Sequence, residues 1–122
     1  ASVNVVLFRL TAAGAVDSTF GTAGKAVFDI GPGTTDIPYA LAPRPGGGWY
    51  VAGQSDLSMH LLRVDANGAL DTSFGTNGFV RRNFRNATTP YDVGLDTQGR
   101  IVACGTISQT AAPDVGCARF NP

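Results

Sequence analysis

The chain has no glutamate and only one lysine, one histidine, one methionine and one tryptophan. Without Glu, the paired carboxylates of glycoside chemistry would have to come from the nine aspartates, and these read mostly as turn residues. Any Ser-His-Asp or Cys-His arrangement must use His60, and no Gly-x-Ser-x-Gly elbow is present to hold a nucleophile. Two Cys and one His make too thin a ligand set for a structural zinc site, and no cofactor is expected. Charged residues are only 15% of the chain, with nine Lys+Arg offsetting nine Asp+Glu. No net field draws the chain to nucleic acid or an anionic surface. The one basic cluster, Arg81, Arg82 and Arg85 around Phe84, reads as a solvated strand face. No apolar run approaches the ~20 residues that span a bilayer as a helix. With no initiator Met and no signal-peptide core, the chain reads as a processed product or a piece of something longer.

What is present is glycine, at 16 residues, with 7 prolines, and a repeat. Leu7 to Gly24 aligns with Leu61 to Gly78 at a constant offset of 54. Arg9 falls on Arg63, Gly14 on Gly68, Asp17 on Asp71, and Phe20-Gly21 on Phe74-Gly75. Further on, Tyr50-Val51-Ala52-Gly53 falls on Val102-Ala103-Cys104-Gly105 at an offset of 52, and Cys117-Ala118-Arg119-Phe120 echoes Leu61-Leu62-Arg63-Val64. The chain therefore reads as one repeat domain over 1–122: a first repeat at about 5–58, a second at about 59–114, and a third begun over 115–122.

Each unit reads as four short strands rich in β-branched and aromatic residues and bounded by Gly, Pro, Asp or Asn. The first strand is expected at Val5–Leu10, Met59–Val64 and Val115–Phe120. The second is expected at Lys25–Ile30 and Phe79–Phe84, the third at Ile37–Ala42 and Tyr91–Leu95, and the fourth at Trp49–Gly53 and Arg100–Gly105. Gly46-Gly47-Gly48 and Asp96-Thr97-Gln98-Gly99 suit tight hairpin turns. In the long link after each first strand, Val16 or Leu70 and Phe20 or Phe74 are expected to plug the loop onto the sheet. Asp17 and Asp71 are expected to close Asx turns there.

The string Arg-Leu/Val-x-x-x-Gly-x-Leu/Val-Asp-x-x-Phe-Gly-x-x-Gly, read at Arg9 to Gly24 and Arg63 to Gly78, resembles the delta-60 repeat. So does the later Val51-Ala52-Gly53. That bacterial repeat occurs in large, often secreted or surface proteins and is taken to form β-propeller blades. Its Asp-Gly-Lys turn is kept only in part, as Gly99-Arg100 and Gly47-Gly48-Trp49. The resemblance implies an all-β fold of two four-stranded antiparallel propeller-like blades plus one extra strand, and it brings no agreed catalytic residues. Two blades leave apolar faces and strand edges uncovered, so the ring is expected to be completed by a second copy in a homo-oligomer, or by further repeats of a longer chain. The expected function is a non-enzymatic interaction module in the secreted or envelope compartment.

Folding the last hairpin about residues 110–111 sets Cys104 opposite Cys117, near disulfide range, which would fit an extracytoplasmic protein. The alternative is two buried free thiols. Asp65, Asn67 and Asp71 have the alternating oxygens of a calcium loop, but the first copy has Thr11, Ala13 and Asp17 there, which favours a turn. Trp49 and Tyr50, with Gln54 and Asp56, are the candidate glycan-binding set of a lectin-like oligomer; the second copy lacks the aromatics. A hydrolase using His60 as base is the third reading, and it calls for a cleft with a hydroxyl or carboxylate in reach.

Overall fold

The computed structural model of the chain describes residues 2–108 and 112–122. The middle of the last hairpin, at 110–111, lies outside them. Among the described residues there are nine strands and no helix: β1 (Val5–Phe8), β2 (Lys25–Phe28), β3 (Asp36–Pro43), β4 (Trp49–Ser55), β5 (Ser58–Val64), β6 (Phe79–Arg82), β7 (Ala87–Leu95), β8 (Ile101–Ser108) and β9 (Pro113–Phe120). They form three antiparallel sheets, β1-β2, β3-β4-β5-β6 and β7-β8-β9. The fold is all-β, with propeller-like blades.

Nine strands match two units of four plus one, but the sheets are not cut where the repeats are. The one complete sheet takes β3 and β4 from the first copy and β5 and β6 from the second. The cause is local. Only Asp56 and Leu57 separate β4 from β5, and Asp56 supplies the positive φ of 50° that so tight a return needs. The segment from Asp29 to Thr35, by contrast, leads from β2 into the next sheet.

The second strands are shorter than expected, ending at Phe28 and Arg82 rather than Ile30 and Phe84. The N–H of Ile30 is donated to Asp36 Oδ2 at 2.9 Å, and that of Phe84 to Thr88 Oγ1 at 3.1 Å, so neither donor is left for a ladder. β1 stops at Phe8, where its pairing with β2 ends, whereas β5 runs on to Val64 because β4 pairs with it there through Trp49. The side bridge is the same in both, Leu10 to Val16 and Val64 to Leu70.

Both copies carry the same bulge. Register shifts between Pro38 and Ala40, and again between Pro90 and Asp92, place a proline where the ladder loses a bond in any case. Opposite each bulge the partner strand crowds close. A Cβ on Gly53 would collide with the carbonyl of Ile37, and one on Gly105 with that of Thr89. The glycine that ends each Val-Ala-Gly or Ala-Cys-Gly string is therefore required by the bulge.

The complete sheet is covered on both faces. Tyr50, Ala52, Met59 and Leu61 pack with Val93, Ile101 and Ala103 of the β7-β8-β9 sheet. Val51, Leu62 and Val64 on the opposite face pack with Val5, Ala26 and Phe28 of the β1-β2 pair. Strand alternation makes this possible, since neighbouring residues point to opposite faces. One rule thus orders the sheets: the Leu61-type face of each meets the Leu62-type face of the next.

Candidate functional site

The strongest repeated constellation is a clamp around each long loop. Arg9 Nε pairs with Asp17 Oδ2 at 2.8 Å, and its guanidinium carbon lies 5.1 Å from the centre of the Phe20 ring. Arg63 Nε pairs with Asp71 Oδ2 at 3.0 Å and sits 5.0 Å from the Phe74 ring. The Asx turns expected at these aspartates are present: Thr19 N–H donates to Asp17 Oδ1 at 3.0 Å, and Ser73 N–H to Asp71 Oδ1 at 3.3 Å. The hydroxyl of Ser73 and then Arg63 hold the Asp71 carboxyl down to about 2, while Thr19 lowers that of Asp17. Phe20 and Phe74 are buried plugs and the half-buried Leu70 packs against the cluster of Val51, Leu62 and Val64, so these three pin the loop as expected, whereas Val16 is 53% exposed. The arginine's part was missed. Its signal was an Arg eight residues before an Asp in both copies.

The calcium-like string is used otherwise. Asp65 Oδ1 accepts the N–H groups of Asn67 and Ala69, both at 2.9 Å, and Asp71 pairs with Arg44 as well as Arg63, both at 3.0 Å. The oxygens are engaged in turn and ion-pair contacts. Among the described residues no group of three or more His, Cys, Asp or Glu could hold a metal ion.

His60 lies wholly inside the molecule. Ser55 Oγ is hydrogen-bonded to its Nδ1 at 2.9 Å, and Asp36, opposite Ser55 in the β3-β4 ladder, stands nearby. Asp36 also accepts the hydroxyl of Thr34 at 2.8 Å. Burial pulls the His60 pKa down to about 4, with Arg81 adding to this and Asp36 opposing it. A hydroxyl is in reach, as a hydrolase reading calls for, but Asp36, Ser55 and His60 are each 0% exposed and a substrate has no path to them. The trio is also peculiar to one place. Its counterparts in the next sheet are Thr88, Ile107 and Gly116.

The four candidate glycan residues are dispersed. Tyr50 is buried against Phe74, while Trp49, on the other face of β4, packs edge-on against Phe20 with ring centres 5.7 Å apart. Gln54 is five residues along β4 from Trp49, about 17 Å of extended chain, and accepts the hydroxyl of Thr89 at 3.0 Å. Asp56 sits at the β4-β5 turn, accepting the N–H of Thr35 at 3.1 Å and facing Arg81 at 3.7 Å. No aromatic face and polar edge converge. In the basic cluster, Arg81 also donates to the Ser55 carbonyl and Arg82 to that of Arg81.

Cys104 and Cys117 are bonded, directly opposite each other in the β8-β9 ladder with Cα atoms 4.1 Å apart. By the repeat they occupy the places of Ala52 and Leu61, which pair across β4-β5 in the same register. Beside β9, a groove of about 360 Å³ opens between the complete sheet and the last one; Met59, Arg82, Phe84, Ile107, Gly116 and Phe120 are among its walls. At the other end of the molecule the outward face of β1-β2 is apolar and uncovered, with Val6 38%, Phe8 60% and Val27 50% exposed.

Comparison with known proteins agrees with this architecture at one place. No curated protein sequence matches the chain. A family described as a domain of unknown function (DUF5122) beta-propeller matches residues 46–74, from the Gly46 turn through β4 and β5 to the clamp phenylalanine Phe74. The match falls on the seam between the two copies and supports a β-propeller repeat there.

Proposed function

We propose that the chain is a non-enzymatic interaction module of β-propeller type that associates with copies of itself and presents the resulting surface outside the cytoplasm. The observation that carries this reading is the uncovered Leu62-type face of β1-β2. Its positions on the complete sheet, His60 and Leu62, are fully buried by the neighbouring sheet, while the corresponding Val6 and Phe8 face solvent. A face that is packed wherever a neighbour exists is built to receive one. The repeat supplies the complement, because in both sheet contacts of the fold a Leu61-type face meets a Leu62-type face, and heterologous contacts of this kind form rings where the rotation between copies closes. The Cys104–Cys117 bond accords with an oxidising compartment. The sealing of His60 leaves the catalytic alternative without an opening.

Light scattering tests the reading. The expected solution mass is a whole-number multiple of 12.6 kDa, and a Phe8→Asp substitution should return the chain to monomer. A monomer at every concentration would overturn it. Alkylation of free thiols in intact cells tests the compartment: both cysteines should be protected.

A further inference from the structure

The strand β9 has the sequence and the register of a first strand, as do β1 and β5. Cys117-Ala118-Arg119-Phe120 corresponds to Leu61-Leu62-Arg63-Val64 and to Leu7-Phe8-Arg9-Leu10. On β4, the first strand β5 sets Leu61 opposite Ala52; on β8, β9 sets Cys117 opposite Cys104. β5 carries a second strand, β6, on its other side, and so does β1, which is paired with β2. Among the described residues β9 has no strand there, and the groove beside Met59, Arg82 and Phe84 stands open in that position.

The β1-β2 pair is therefore a ready-made first-and-second-strand unit. Laid on β8 in the register of β9, it would set Leu7 opposite Cys104 and Phe8 opposite Ala103, and its β2 would run along the open groove. Phe8 would occupy the site of Ala118, which packs against the cluster of Met59 and Leu61. Val27, at the position of Arg81 in the repeat, would turn from solvent toward the groove lined by Met59 and Phe84. The apolar side chains left exposed at one end of the molecule are those the cleft at the other end lacks.

We propose that β9 is a latched placeholder: held by the Cys104–Cys117 bond, it occupies the slot on the β8 edge that fits the β1-β2 hairpin of a second copy, and opening the bond admits that hairpin. The proposal rests on the self-association argued above and specifies its route. Opening is a thiol–disulfide exchange with a dithiol. Two electrons and two protons pass from the dithiol to the bridge, leaving two cysteine thiols and an oxidised, cyclised dithiol. With the latch closed, copies meet only face to face and separate on dilution. With it open, the hairpins exchange, each sheet is completed by a neighbour's strands, and the assembly persists on dilution because strands must unpair to leave it.

The test uses the full chain. Wild-type protein is sized on dilution before and after treatment with dithiothreitol, and the expected result is an assembly that dissociates before treatment and persists after it. In parallel, a Leu7→Cys/Cys117→Ser variant is oxidised and run on a non-reducing gel. The introduced thiol should bond to Cys104 of another copy, so the monomer band is lost to covalent multimers. A Phe8→Cys/Cys117→Ser control, whose side chain points to the other face, should stay monomeric on the gel. If the solution mass is a multiple in every state but neither reduction nor the Leu7→Cys variant changes anything, strand exchange is wrong and face-to-face association stands. If every sample is monomeric, both readings fail.

Discussion

Thr88 stands where Asp36 stands in the preceding copy, and the two do the same job with different chemistry. Thr88 Oγ1 accepts the Phe84 N–H at 3.1 Å, as Asp36 Oδ2 accepts that of Ile30 at 2.9 Å. Each closes the passage from a second strand to the third strand of the next sheet, and both side chains are buried. Asp36 additionally holds Thr34 and neighbours His60.

Asp36→Ala should therefore cost about 2 kcal/mol, because it leaves the Ile30 N–H unpaired. Thr88→Val should cost nearer 1 kcal/mol, having one bond to lose. Asp36→Thr should recover part of the loss by restoring the acceptor. Urea midpoints read all three, and equal losses for Asp36→Ala and Asp36→Thr would contradict the shared role.

The two clamps should differ in weight. The Arg63 side chain is 11% exposed and that of Arg9 29%. Arg63→Ala removes an ion pair, a hydroxyl contact and a ring contact, and should cost about 2–3 kcal/mol. Arg9→Ala should cost about 1 kcal/mol, since solvent screens its pair. Arg63→Lys should not rescue, because a point charge cannot span both Asp71 and Ser73 while lying over Phe74. Thermal unfolding would show the order, and a larger loss at Arg9 would refute it.

Acid should act in two steps. In the fold His60 stays neutral down to about pH 4, whereas the unfolded chain takes up that proton near the usual 6.5. The unfolded state thus binds more protons between these values, and stability falls as pH drops from about 6.5 to about 4, by up to roughly 3 kcal/mol. Asp17, Asp71 and Asp96 have lowered folded pKa values, so the stability they lend is present above their ordinary 3.8 and is lost only below it. A His60→Leu variant should flatten the upper step and leave the lower one. Retention of the upper slope in that variant would assign it elsewhere.

Glycines at matching positions should respond unequally. Gly14 and Gly68 both hold positive φ, 81° and 89°, yet a Cβ on Gly14 meets nothing, while one on Gly68 would lie 2.9 Å from the Phe20 ring of the other copy. Gly14→Ala should cost about 1 kcal/mol of backbone strain. Gly68→Ala should cost about 1–3 kcal/mol more through overpacking. Similar losses at the two sites would show that Phe20 yields freely.

How much of this was legible from the letters depended on distance along the chain. Asp17 and Asp71 could be placed in Asx turns because their partners lie two residues on. Cys104 and Cys117 could be paired because one hairpin fixes their register. The Asp36–Ser55–His60 cluster could not be read, because it assembles across a ladder and a turn. The repeat hid it too, since the offset slips from 54 to 52 between Ile30 and Asp36 and masks the match to Thr88. The cut of the sheets was legible only at the last hairpin, where pairing Cys104 with Cys117 already sets a fourth strand beside the first strand of the next copy. A period by itself fixes spacing but not phase, and it is the two-residue return at Asp56-Leu57 that shows β4 and β5 share a sheet. Leu57 itself, 58% exposed, gave no sign of this.

That phase has a consequence for how such a protein can change over generations. Because each seam joins the tail of one copy to the head of the next, an in-frame duplication or loss of a whole period, wherever its breakpoints fall, recreates the same seam. Tract length is thus free to drift through unequal recombination, and selection need act only on what the two ends of the tract must find.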